Sequence, residues 1–299
     1  MTPILLLLVC LTLGVLVARF AHPPMGLAQG LNWWVINIAL PALVLELIPR
    51  LHFDPQLWFL VVTQWLVFVG AALFFHLLGG RLGWSRARIG CMILMTGLGN
   101  TSFVGFPLLE ALRGREGLAL GVVADQLGCF VALAVGGVLV SAIYSGKQPK
   151  AREIVRRVAL FPPFLALAAG VVLGLLGGWP VPAEEVLHRI GQTLVPLALF
   201  SVGLRLKLQF GGGQAAPLAM ALGWKLAVIP MLMLGLGLAT GVSGLVLTIG
   251  VLQAAMAPMI SAAILCDQHH LEPPLANTIL GSGILLSLVT VPLWSYMLG

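Results

Sequence analysis

The chain is a succession of long apolar runs separated by short polar or charged gaps. A bilayer core of about 30 Å needs roughly 20 apolar residues per helix. By that rule ten runs are predicted to span a membrane: 3–20, 31–49, 56–79, 87–112, 116–145, 158–178, 185–206, 214–240, 243–267 and 272–298. The runs are continuous and do not alternate at period 2, so they predict helices rather than barrel strands. The first run, Pro3 to Ala18, is read as a retained span. It has no positive region ahead of it, and its first positive charge, Arg19, follows it.

Two runs break the pattern from within. In the fourth, GLGNTSFVGFPLL (Gly97–Leu109) places three glycines, a proline and Asn100-Thr101-Ser102 where a helix should cross. Against Ala, Gly costs a helix about 1 kcal/mol and Pro about 3. In the ninth, QAAMAPMIS carries its break at Met256-Ala257-Pro258. The two lie about 156 residues apart, and aligning Pro41 of the second run with Pro196 of the seventh gives 155. Glu116 and Glu272, which open the fifth and tenth runs, fall near the same offset. The expected fold is therefore an all-α integral membrane protein of ten helices in two five-helix repeats, 1–145 and 158–299, joined by a basic linker at 146–157. Five is odd, so the second copy enters the membrane from the opposite side. Such inverted repeats with paired Gly/Pro breaks mark the binding sites of transporters.

Composition agrees with the runs. The 299 residues are 60% hydrophobic and 9% charged, with mean hydropathy +1.05, whereas soluble domains carry about 25% charged residues. The net charge of +6 reads as a topology signal, not a nucleic-acid face. Gaps after the odd runs hold Arg19, Arg81, Arg86, Arg88, Lys147, Lys150, Arg152, Arg156, Arg157, Arg205 and Lys207; the opposite side holds Arg50, Arg113, Arg115 and Arg189. The richer side is expected to be cytoplasmic, with both termini outside, in a bacterial-type inner membrane. Cys10, Cys91, Cys129 and Cys266 lie scattered in apolar runs without CxxC spacing and read as small hydrophobes.

Lys225 and Asp125 lie about eleven and nine residues into the eighth and fifth runs, close to the midplane at 1.5 Å per residue. Charges there cost at least about 2.5 kcal/mol and by default mark an ion or substrate path. Lys225 is the expected partner of an anionic substrate or of a carboxylate. Asp125, with Gln126 beside it, is the candidate proton acceptor or ion-pair partner. A structural ion pair between them is the plainer alternative. Glu46 stands four residues before Arg50, which predicts an ordinary i,i+4 pair. Gln64, Asn277, Thr278 and Ser282 suit cavity lining and helix–helix hydrogen bonding equally. His269-His270 lacks a third ligand at metal-binding spacing, and neither a metal nor a cofactor is expected.

Leu98-Gly-Asn100-Thr101-x-x-x-Gly105-x-Pro107-Leu108-Leu109, followed by Gly114 and Gly117, resembles the fourth-span signature of the auxin efflux carrier family. Gln253-Ala254-Ala255 with Pro258 resembles its ninth-span signature. There the plant motif has proline at the positions of Ala257 and Ala262. The resemblance runs over nearly the whole chain but lacks the long cytoplasmic loop of many plant carriers. It implies a scaffold of helices 1, 2, 6 and 7 and a transport domain of helices 3–5 and 8–10 with crossed helices 4 and 9. It further implies elevator-type alternating access and a homodimer through the scaffold. Carried onto this chain, Asn100 and the backbone around Pro107 and Pro258 contact substrate, with Thr101, Ser102, Gln253 and Lys225 completing the expected binding set.

The expected function is a non-enzymatic secondary carrier of small organic anions, auxin-like acids or dicarboxylates, with proton coupling permitted by Asp125. No GxxxxGK[ST] motif is present to drive it with ATP. A sodium-coupled symporter of the bile-acid type and a channel are the alternatives. An intramembrane enzyme finds no HExxH and no carboxylate cluster to support it.

Overall fold

The computed structural model describes residues 2–21, 23–51, 54–146, 156, 159–206 and 214–299. Of the linker expected at 146–157, Lys147, Lys150, Arg152 and Arg157 lie outside the described residues, as does Lys207. Among the described residues the chain is all-helical, with one isolated two-residue bridge in place of any strand. Six helical stretches among the described residues are long and apolar enough to cross a membrane: Leu27–Arg50, Pro55–Arg81, Gly105–Ser145, Val181–Arg205, Ala215–Ala239 and Pro273–Met297. Leu5–Ala21, Pro162–Leu175 and Gly244–Ala254 are shorter apolar helices.

The residues fall into two compact units, one of residues 1–54, 102–122 and 155–206, the other of residues 55–101, 123–154 and 207–299. In the first, α1 (Thr2–Leu16) packs along α10 (Leu194–Arg205). Small residues allow this contact: a Cβ on Gly14 would fall 2.3 Å from the Phe200 carbonyl, and one on Gly203 2.3 Å from that of Leu11. Without a hydrophobic driving force between helices in lipid, such backbone approach supplies the packing energy. The helix α3 (Leu40–Leu47) lies against α8 (Pro162–Leu175) and α9 (Val181–Gly191) in the same unit.

The second unit is built around α5 (Arg86–Gly97), whose residues from Ile89 to Gly97 are all buried. A helix apolar on every side belongs inside a bundle, and α5 packs on α4 (Trp58–Arg81), α7 (Val138–Ser145), α14 (Ile260–Gln268) and α15 (Pro273–Met297). Its start is fixed by chemistry. Ser85 Oγ accepts the Arg88 N–H at 3.1 Å as an N-cap, and Arg88 Nε donates to Glu272 at 3.0 Å. The latter bond ties the starts of α5 and α15 together.

At 113–115, between the fourth and fifth expected runs, Gly105–Val123 (α6) is two helical segments meeting across a kink at Gly114 (φ 66°, ψ −166°), a conformation open to glycine. Several runs also loosen to π-helical turns, including Ala124–Cys129 and Trp224–Val228. Gly203→Ala should therefore destabilise the protein by about 1–3 kcal/mol through overpacking. Gly223→Ala, where a Cβ meets nothing within 4 Å, should be neutral, as read by thermal unfolding in detergent.

Candidate functional site

Both sequence breaks are breaks in the structure. Helix α5 stops at Gly97, Leu98 is extended (φ −112°, ψ 123°), and α6 begins at Gly105. Helix α13 (Gly244–Ala254) stops likewise, and α14 resumes at Ile260 after an extended Met259 (φ −77°, ψ 135°). The two irregular segments lie antiparallel, bridged at Gly99 and Pro258. The Asn100 N–H donates to the Ala257 carbonyl at 2.7 Å, and the Met259 N–H donates to that of Leu98 at 3.1 Å. Each break thus supplies partners to the other, which is what irregular backbone inside a membrane requires. Pro258 sits between an accepting residue and a donating one, where its missing N–H costs nothing.

Side chains converge on this bridge from two π-helical turns. Asp125, on Ala124–Cys129, is 3% exposed; its Oδ1 accepts a short hydrogen bond from Thr101 Oγ1, and its Oδ2 accepts from Gln126 Nε2 at 2.6 Å. From the same turn Cys129 Sγ donates to the Gly99 carbonyl at 3.3 Å. Lys225, on Trp224–Val228, is fully buried, and its Nζ finds no hydrogen-bond acceptor among the described residues. The ammonium lies against the first break: a Cβ added to Gly99 would stand 3.2 Å from Nζ and 3.5 Å from the Gln253 carbonyl. π-Helical turns redirect side chains and recur at functional sites. Here they carry the two buried charges that stand at the bridge, Asp125 and Lys225.

The second unit thus brings together Asn100, Thr101, Asp125, Gln126, Lys225, Gln253 and Pro258, every one of them buried. Ser102 and Pro107 belong to the first unit. There Pro107 lines a cavity of about 350 Å³ with Glu46, Phe106, Glu110, Arg115 and His188. The Asp125 carboxylate is held by Thr101 and Gln126, and Lys225 makes no hydrogen bond to it.

Glu46 corrects the sequence reading. It does not pair with Arg50, which bonds Glu184 instead. Glu46 Oε1 accepts from Arg115 and lies 2.8 Å from His188 Nδ1. The chain tightens to a 3-10 turn at Ile48–Arg50, around Pro49, so the i,i+4 geometry that the spacing assumed is lost. Gln64 is buried in the second unit, Thr278 Oγ1 bonds back to the Pro274 carbonyl at 2.8 Å, and His269 Nδ1 lies 3.0 Å from Ser145 Oγ. All four cysteines are free and buried.

A polytopic helical protein with two interrupted helices joined around a buried ammonium has the construction of a membrane transporter. Residues 1–295 match the family described as Membrane transport protein. The chain belongs to that family, the auxin efflux carrier family, whose named relatives are transporters. It is 27% identical over 276 residues to an uncharacterized transporter of Methanothermobacter thermautotrophicus, covering 91% of this chain and 89% of the relative. It is 28% identical to a Rhizobium meliloti protein provisionally named a malonate transporter, covering 93% and 89%. It is 24% identical to auxin efflux carrier component 8 of Arabidopsis thaliana, covering 98% and 95%.

The geometry of the second break rests on one glycine of α15. A Cβ on Gly283 would fall 2.4 Å from Pro258 Cδ, and a proline ring cannot swing aside as a flexible side-chain end can. Gly283→Ala should displace the Pro258 segment and destabilise the protein by about 1–3 kcal/mol, while Gly223→Ala leaves stability unchanged. Scanning calorimetry of both purified variants checks this.

Proposed function

We propose that this protein is a secondary transporter of small organic anions, binding a substrate carboxylate at the paired breaks with Lys225 as its counter-charge. The single observation carrying this reading is the fully buried Lys225 ammonium beside Gly99, without a hydrogen-bond acceptor among the described residues. A buried charge is stable only when paired and hydrogen-bonded, and a substrate carboxylate supplies both. Asn100, Thr101 and Gln253 stand around the same bridge as polar contacts, and Asp125 with Gln126 forms the relay through which a proton is coupled. Relatives named for malonate and for auxin fit a carboxylate substrate, since both molecules carry that group.

The transport movement in this reading is elevator-type alternating access by ten helices in two inverted five-helix repeats. Helices 1, 2, 6 and 7 form the scaffold and dimerise, and helices 3–5 and 8–10 carry the substrate. The division of the chain into units supports this assignment, since residues 55–101, 123–154 and 207–299 group together. Residues 102–122, the second half of the fourth span with Ser102 and Pro107, group with the scaffold segments instead. The protein sits in the cytoplasmic membrane with both termini outside, as the Lys/Arg asymmetry indicates.

Counterflow tests the carrier reading. Proteoliposomes loaded with unlabelled malonate or indole-3-acetate should take up the labelled acid saturably. Asn100→Ala should cut the uptake about tenfold or more at unchanged protein yield. Flux linear in concentration would make the protein a channel, and recovery of altered substrate would make it an enzyme.

A further inference from the structure

The first unit contains a group of charged side chains that the transport site does not use. Glu46 on α3, Arg115 on α6 and His188 on α9 meet at the boundary of two cavities, of about 400 and 350 Å³, and line both. Arg115 donates to Glu46 Oε1, and His188 Nδ1 stands 2.8 Å from the same oxygen. Gln192 Nε2 lies 2.7 Å from His188 Nε2. Arg115 Nη1 lies 2.8 Å from the same His188 Nδ1, so guanidinium and imidazole gather about one carboxylate oxygen. Glu46 is only 4% exposed, and its other oxygen, Oε2, is buried with no hydrogen-bond partner among the described residues.

A guanidinium binds a carboxylate best through two parallel bonds, one to each oxygen. Glu46 takes one, and leaving a buried acceptor unsatisfied is itself costly. It is a half-satisfied occupant of a site whose donors suit any carboxylate. The 350 Å³ cavity beside those donors is walled by Leu43, Phe106, Pro107, Leu118, Leu194 and Val195, enough room for a small apolar body. Glu110 also lines it, so a second carboxylate on the ligand meets a like charge.

We propose that the first unit holds a second carboxylate-binding site, formed by Arg115 and His188 and masked by Glu46, that accepts a monocarboxylic acid with an apolar body once Glu46 withdraws. The site is independent of the Lys225 reading: its charged residues, its cavity and its unit are different.

The test uses the full-length protein in detergent with phenylacetate as probe and phenylacetamide as its neutral match, in a Lys225→Gln background that removes the other counter-charge. Calorimetric titration should show Glu46→Gln raising phenylacetate affinity about tenfold or more and leaving phenylacetamide unchanged. Adding Arg115→Gln should remove the gain. An absent gain, an equal gain for the amide, or a gain surviving Arg115→Gln overturns the proposal. If Glu46→Gln does not elute as folded protein, Glu46→Ala takes its place. In protein retaining Glu46, saturation-transfer NMR at millimolar phenylacetate should show weak binding that Arg115→Gln abolishes, and persistence of the signal there overturns the proposal equally. Equal phenylacetate affinity in the wild type and Lys225→Gln would count against the Lys225 reading alone.

Discussion

A helix interrupted inside hydrocarbon exposes backbone donors and acceptors that lipid cannot satisfy, each worth several kcal/mol. This chain interrupts two, and the two interruptions satisfy one another. The Asn100 N–H reaches the Ala257 carbonyl and the Met259 N–H reaches that of Leu98, so a two-residue antiparallel bridge stands where neither helix can continue. The arrangement of the second unit follows from keeping that bridge dry and fixed. Helix α5 is buried on all sides up to Gly97, α15 offers Gly283 to the Pro258 ring, and Cys129 takes up the Gly99 carbonyl.

Asp125 and Lys225 stand at the same bridge. Asp125 is tied to the first break through Thr101 and to its own turn through Gln126. Lys225 lies against Gly99 and has no acceptor among the described residues. The carboxylate is hydrogen-bonded on both oxygens, and the ammonium is not hydrogen-bonded among the described residues. That asymmetry separates two residues that depth in the membrane alone had made equivalent. The π-helical turns beneath them explain how each side chain is aimed at a target that a regular helix would present differently.

Much of this was legible in the residues. Gly97, Gly99, Pro107 and Asn100-Thr101-Ser102 announce a break because each opposes the helix their neighbours favour, and Asp125 and Lys225 stand out because charge is expensive at that depth. What stayed hidden depends on distance along the chain. No local pattern joins Gly99 to Pro258, or Glu46 to Arg115 and His188, 69 and 142 residues away. The Glu46–Arg50 spacing misled because the helix gives way to a tighter turn at Pro49. The π-helical turns have no composition signal in segments as uniformly apolar as these.

The central claim is that Lys225 is the counter-charge of a substrate carboxylate. It is tested most directly by the affinity of purified protein for indole-3-acetate and for the uncharged indole-3-acetamide, measured in the wild type and in Lys225→Gln. The account predicts that the substitution weakens the acid by about tenfold or more and barely alters the amide, so that the preference for the charged ligand collapses. Equal losses for both ligands, or an acid affinity that survives the substitution, would contradict it.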